Sequence, residues 1–185
     1  MARRGVRLIL ICEDEEHERF ARYALLGLGF GRPELRFFRS PSGRGAAEQW
    51  VRRQYATEVR AYRRKAGYQR VGLVVVIDAD RRTVSEREEQ LADELASAQE
   101  PARETRERVL HWTPRRHIET WVAFLCSRDV DEEMDCKRLV DSGDYRPAAE
   151  SFVQIYQETT PRPAQLLESL SLALDETARL EEQGS

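Results

Sequence analysis

Val74-Val75-Val76-Ile77-Asp78-Ala79-Asp80 decides the fold of this chain. The apolar run begins at Val71 and predicts a strand over 71–77. It is apolar on both faces, as in a central strand of a parallel sheet. It stops on two aspartates separated by one residue. Open α/β folds bind ligands in the crevice above the carboxyl ends of their strands, so Asp78 and Asp80 can aim at one point there. A second such ending lies upstream, where Leu8-Ile9-Leu10-Ile11-Cys12 runs into Glu13-Asp14-Glu15-Glu16. If the two strands are parallel neighbours, Glu13, Asp78 and Asp80 make an oxygen-rich anionic cluster suited to Mg²⁺ or Mn²⁺. Acids after a strand also serve simply to cap the next helix. The paired endings, one of them Asp-x-Asp, favour the metal reading.

Outward from these two strands, helices and strands alternate. The first strand covers 6–12, and a helix over 16–28 carries Phe20, Ala24, Leu25 and Leu28 on one face before Gly29. Leu35-Arg36-Phe37-Phe38 reads as a short strand, followed by a turn-rich loop over 40–45. In the helix predicted over 46–66, Val51, Tyr55, Val59, Tyr62 and Ala66 recur at helical spacing. After the central strand come a charged helix over 84–99, with Leu91 and Leu95 as its apolar contacts, and a strand over 109–112. Another helix runs over 116–125 beyond Pro114. From Asp129 onward the chain is expected to be acidic and helical, with breaks at Pro147, Pro161 and Pro163 and a last helix near 163–182. The pattern implies an α/β fold, a Rossmann-like three-layer sandwich with a mainly parallel sheet. Residues 1–128 would form the α/β domain and 129–185 an acidic helical extension packed on it or docking from it.

Bulk properties narrow the function. A chain of 185 residues can bury a sizeable core. With 41% hydrophobic and 34% charged residues it is a folded protein with a highly charged surface. No apolar stretch approaches the ~20 residues that span a bilayer, and the first apolar run is shorter than the ~7–15 residues of a secretory signal. A cytoplasmic protein without membrane contact is expected. Cys12, Cys126 and Cys136 are odd in number and lack CxxC spacing, which argues against a disulfide framework or a zinc site.

The net charge of −3 hides an uneven distribution. Residues 32–70 hold eleven Arg or Lys against three Glu, whereas 129–185 hold fourteen Asp or Glu against five Arg or Lys. The only lysines are Lys65 and Lys137. Arg44, Arg52, Arg53, Arg60, Arg63 and Arg116 are candidate contacts for the phosphates of a nucleic acid, since the planar guanidinium fork suits phosphate. The alternative for these arginines is a solvated helix face. His17, in the first turn after Glu13, is a candidate proton shuttle, although an exposed histidine there is commonly inert.

The strand ending in Glu13, the helix after it and the later strand ending in Asp78-Ala79-Asp80 together resemble the TOPRIM domain of topoisomerases, primases and OLD-type (overcoming lysogenization defect) nucleases. Arg115-Arg116-His117-Ile118-Glu119-Thr120-Trp121 is similar to an Arg-x-Ile-Glu-x-Trp stretch of small TOPRIM-like proteins near those nucleases. The match covers about 6–125 and departs where the family's glycine after the first glutamate is Asp14. By this resemblance Glu13 would be the acid/base or metal-binding glutamate, Asp78 and Asp80 metal ligands, and Glu119 a further acidic ligand. Lys137 would be the lysine that stabilises the transition state near the metals; an exposed salt bridge is its plainer role.

These readings converge on a Mg²⁺- or Mn²⁺-dependent nuclease, with DNA favoured over RNA. No Gly-x-x-x-x-Gly-Lys-Ser/Thr phosphate loop is present, so a separate ATPase is the expected partner, in a pairing of the kind genome-defence systems use. Two alternatives stand beside it. One is a receiver-like signalling module, whose opening resembles Leu10-Ile11-Cys12-Glu13-Asp14-Glu15. The other is a catalytically silent TOPRIM scaffold that binds a partner.

Overall fold

The computed structural model describes residues 5–41, 47–158, 163 and 165–181. Strands Arg7–Cys12 (β1), Leu35–Arg39 (β2), Val71–Val76 (β3) and Val109–Trp112 (β4) form one parallel sheet in the order β2-β1-β3-β4. The helices are Glu15–Gly27 (α1), Ala47–Ala66 (α2), Val84–Ser97 (α3), Ile118–Leu125 (α4), Tyr145–Gln157 (α5) and Glu168–Thr177 (α6). The fold is α/β, consistent with a Rossmann-like three-layer sandwich.

Alternation along the strands sorts the core into two layers. Leu8, Leu10, Val74, Val76, Leu110 and Trp112 face α1, α4, α5 and α6. Ile11, Leu73, Val75, Ile77 and Val109 face α2 and α3. Gly72 in β3 allows close packing, because a Cβ there would lie 2.7 Å from Leu8 Cδ2. After α1 the chain turns at Gly29, whose φ of +93° few other residues adopt without strain.

Residues beyond 128 share the first core layer. Tyr145, Ala148, Ala149 and Phe152 of α5 are buried against α1 and α4, and Leu170, Ala173 and Leu174 of α6 are buried with them. β4 is an edge strand, and side chains cover its outer polar groups. The His111 amide donates to Glu176 on α6 at 3.1 Å, and Arg103 donates to the Val109 carbonyl at 2.9 Å. Such cover blunts an edge that would otherwise pair with another chain.

Several boundaries differ from the sequence reading. Residues 129–144 form turns rather than helix, with Asp131, Asp135 and Asp141 carboxylates accepting from backbone amides two residues on. Aspartates that bond their own backbone compete with helix in this way. Pro147 lies in the first turn of α5 instead of breaking a helix, where its missing N–H costs nothing. Within the last predicted helix, regular structure runs from Glu168 to Thr177 and ends in a 3₁₀ turn over Ala178–Leu180. Leu167 before it is extended, with ψ of 136°. α4 starts at Ile118 because His117 is its extended N-cap residue. No helix among the described residues is long and apolar enough to cross a membrane.

Candidate metal centre

The strand order places β1 and β3 side by side, with Cys12 opposite Val76. The chain leaves β1 toward β2 on one side and returns to β3 on the other, so the sheet's switch point lies between them. That crevice is where such sheets bind ligands. Glu13 and Asp78 emerge directly above it. Glu13 Oε1 accepts the Asp78 amide at 2.8 Å, which ties the two strand ends together.

Asp14 caps α1 and organises the next contact. Its φ of −147° is ordinary extended backbone, so the loop needs no glycine here. Its carboxylate accepts the His17 amide at 3.0 Å and lies 2.8 Å from His17 Nδ1. His17 Nε2 lies 2.8 Å from Asp78 Oδ1. Far from being exposed, His17 is 1% accessible. Burial alone would lower its pKa, but the Asp78 charge and the bonds to Asp14 and Asp78 raise it well above the usual histidine range. The ring is clamped between two carboxylates, one at each nitrogen.

The neighbouring acids are strained by one another. Burial, then Asp78 and Asp80, push Glu13 up to about 7 against the pull of His17. Burial and repulsion from Asp78 raise Asp80, opposed by Arg87 and His117. Glu119, in the first turn of α4, is raised by burial and by Asp78, opposed by its own amide and by Lys137. For Asp14 burial acts upward, but the His17 bonds and charge hold it down at about 2. Asp80 also has a φ of 58°, a left-handed conformation that aspartate tolerates better than most residues.

Such crowding of carboxylates is what a divalent cation offsets. Glu13, His17 and Asp78 each offer one ligand atom, all within 4.8 Å of one another. Both ring nitrogens of His17 are already taken by carboxylates, however. His17 fits the other role of a histidine near a metal, orienting a carboxylate ligand from behind. Asp78 Oδ1 is taken by His17, and Oδ2 remains for an ion. Glu13 and Asp78 are left as oxygen donors, the kind preferred by Mg²⁺ and Mn²⁺; Asp80 and Glu119 lie outside this group of ligand atoms, near enough for their charges to be felt.

Beside the acids opens a groove of about 600 Å³. Asp80, His117 and Lys137 line it with Arg52, Arg81, Arg82, Arg87 and Arg116. Lys137 is exposed, and its charge is felt by Asp14, His117 and Glu119, so the fold brings this lysine to the acids from the 129–144 turns. His117 is buried at the groove wall; burial lowers its pKa, and its Nδ1 has no hydrogen-bond partner among the described residues.

Not every predicted contact is here. Arg60 and Arg63 lie about 12–17 Å further along α2 than Arg52, at 1.5 Å per residue. They brace the α3–β4 connection instead: Arg60 Nε meets Glu100 at 2.6 Å and Arg63 Nε meets Glu107 at 2.7 Å. Arg53 is exposed on α2, outside the groove lining. Arg52 lines the groove but bonds Glu48 at 3.0 Å. Arg44 lies outside the described residues. His117, Arg81, Arg82 and Arg87 gained no role from the sequence.

No known protein family matches the chain, and neither the curated proteins nor the solved structures contain a match.

Proposed function

We propose that the chain is a Mg²⁺- or Mn²⁺-dependent nuclease of TOPRIM type, hydrolysing phosphodiester bonds in nucleic acid, with DNA favoured over RNA. The observation that supports this reading is the pairing of Glu13 with Asp78 at the switch point of the sheet, where Glu13 also feels the charge of Asp80 and Glu119 the charges of Asp78 and Lys137. Divalent ions held by these carboxylates would supply Lewis-acid activation of a water and neutralisation of phosphoryl charge. The chain's own groups complete the chemistry. Glu13, tied to the Asp78 amide, would serve as the acid/base or metal-binding glutamate. Lys137 and Arg116 offset the negative charge of the polymer where the acids would repel it. A separate ATPase partner in a defence-type pairing belongs to the same proposal.

The test is cleavage of plasmid, linear DNA, single strands and structured RNA with Mg²⁺ or Mn²⁺, with EDTA controls. Cutting is expected from the wild type and not from Asp80→Ala. A folded wild-type chain that cuts none of these, alone or with an ATPase encoded beside it, overturns the reading.

A further inference from the structure

Each aspartate of Asp78-Ala79-Asp80 has a buried nitrogen side chain beside it. For Asp78 this is His17, and for Asp80 it is Arg87, whose Nη2 lies 3.7 Å from Asp80 Oδ2. Arg87 is only 2% accessible. Its Nη1 is anchored by Glu48 on α2 and by Gln90 at 2.7 Å. Its Nε is buried and has no hydrogen-bond partner among the described residues. Nε and Nη2 share one edge of the guanidinium, the edge that grips a carboxylate side-on with two donors. One arm of that fork is already turned to Asp80.

A buried guanidinium is costly to desolvate unless well paired. Arg87 is also the fourth residue of α3, close to the positive end of that helix. Asp80, by contrast, has little to hold it. Its side chain is 60% accessible, its backbone is left-handed, and Asp78 repels it. We propose that Arg87 is a positioning residue for Asp80, holding its carboxylate toward the metal cluster with the Nε–Nη2 edge while Glu48 fixes the guanidinium from α2. This inference rests on the metal-dependent reading above.

The test is Mn²⁺ binding to the full chain, read from the electron paramagnetic resonance signal of free Mn²⁺, with thermal unfolding as a check on the fold. Arg87→Met is expected to weaken Mn²⁺ binding about tenfold or more, the usual loss when the support of a ligand is removed. Arg87→Lys, which keeps the charge without the fork, recovers part of it. In an Asp80→Ala background Arg87→Met has no further effect, because its action passes through Asp80. Equal loss in both backgrounds, or wild-type affinity in Arg87→Met, overturns the proposal. If Arg87→Met fails to fold, Glu48→Gln takes its place in the same cycle, with a smaller loss that again vanishes without Asp80. A wild type that binds no Mn²⁺ removes the metal reading and this inference together. Binding lost in Asp80→Ala but kept in Arg87→Met removes this inference alone.

Discussion

His17 Nε2 lies 2.8 Å from Asp78 Oδ1, so one buried histidine ring on α1 fixes the carboxylate that follows β3. The other ring nitrogen meets Asp14 at the same distance. Replacing His17 with Ala leaves Asp78 without its buried donor. This costs about 1–3 kcal/mol of stability, the range for stranding a buried polar group. It also frees Asp78 to rotate, and divalent-ion affinity is expected to fall about 10–100-fold. Denaturant unfolding and a Mn²⁺ titration read the two effects separately. Unchanged affinity would reduce His17 to a packing residue.

Glu13 and Asp14 are adjacent yet respond to opposite ends of the pH scale. Burial raises Glu13 from 4.5 to about 7, so the folded chain keeps a proton that the unfolded chain has lost. Its contribution to stability is full below 4.5 and is lost as pH rises through 7. A bound divalent ion must expel that proton. Mg²⁺ affinity is therefore expected to rise with pH up to about 7, with proton release on binding at pH 6. Calorimetry in two buffers of different ionisation heat measures that release. Saturating Mg²⁺ should also stabilise the fold, by about 2.7 kcal/mol at a hundredfold excess over Kd, and EDTA should reverse it. Asp14, held at about 2 against an ordinary 3.8, contributes stability above 3.8 that disappears as pH falls through 2.

The residues legible in the sequence were those whose type and local position already imply their direction. Glu13, Asp78 and Asp80 each follow an apolar strand, and a parallel sheet puts all such ends on one side. The sequence offers His17 only as a proton shuttle near Glu13; its pairing, like that of Arg87, is legible only once distant partners are in place. His17 meets Asp78, 61 residues away, and Arg87 meets Glu48, 39 residues upstream. In a helix read by its apolar stripe, Arg87 looked like one more charge beside Leu91 and Leu95. The arginines of α2 show the converse. Composition marked them as one cluster, but the helix is long enough to put Arg52 at the groove and Arg63 against Glu107. In 129–144, acidic composition suggested a helix, while side-chain capping of backbone amides made turns.

That division of the arginines predicts two kinds of mutant. Lys137→Ala and Arg116→Ala remove charges at the groove. Each is expected to weaken nucleic-acid binding across sequences and to lower the salt dependence by about one ion. Arg60→Ala and Arg63→Ala remove braces between α2 and the α3–β4 connection. They are expected to leave binding unchanged and to lower the unfolding midpoint slightly, Arg60 being half-exposed where it meets Glu100. Filter binding at several salt concentrations separates the two groups. Equal losses from all four would return the footprint to the whole of α2.

Phe152 on α5 tests whether the chain beyond residue 128 is an appendage. Its ring meets Phe20 at 5.7 Å and Trp112 at 5.3 Å between centroids, both edge-on. Further along, Trp112 Nε1 donates to Thr177 at 3.0 Å and Trp121 Nε1 to Ser169 at 2.8 Å. All of these side chains are buried. Phe152→Ala is expected to cost about 3–5 kcal/mol, a large part of the ~5–15 kcal/mol that holds a typical domain. Removing 129–185 would uncover Phe20, Trp112 and Trp121 together and leave two indole N–H groups without partners. The remaining 128 residues are expected not to unfold cooperatively on heating. A sharp thermal transition in that fragment would mean that the α/β sheet and its acid cluster stand without the helices that cover them here.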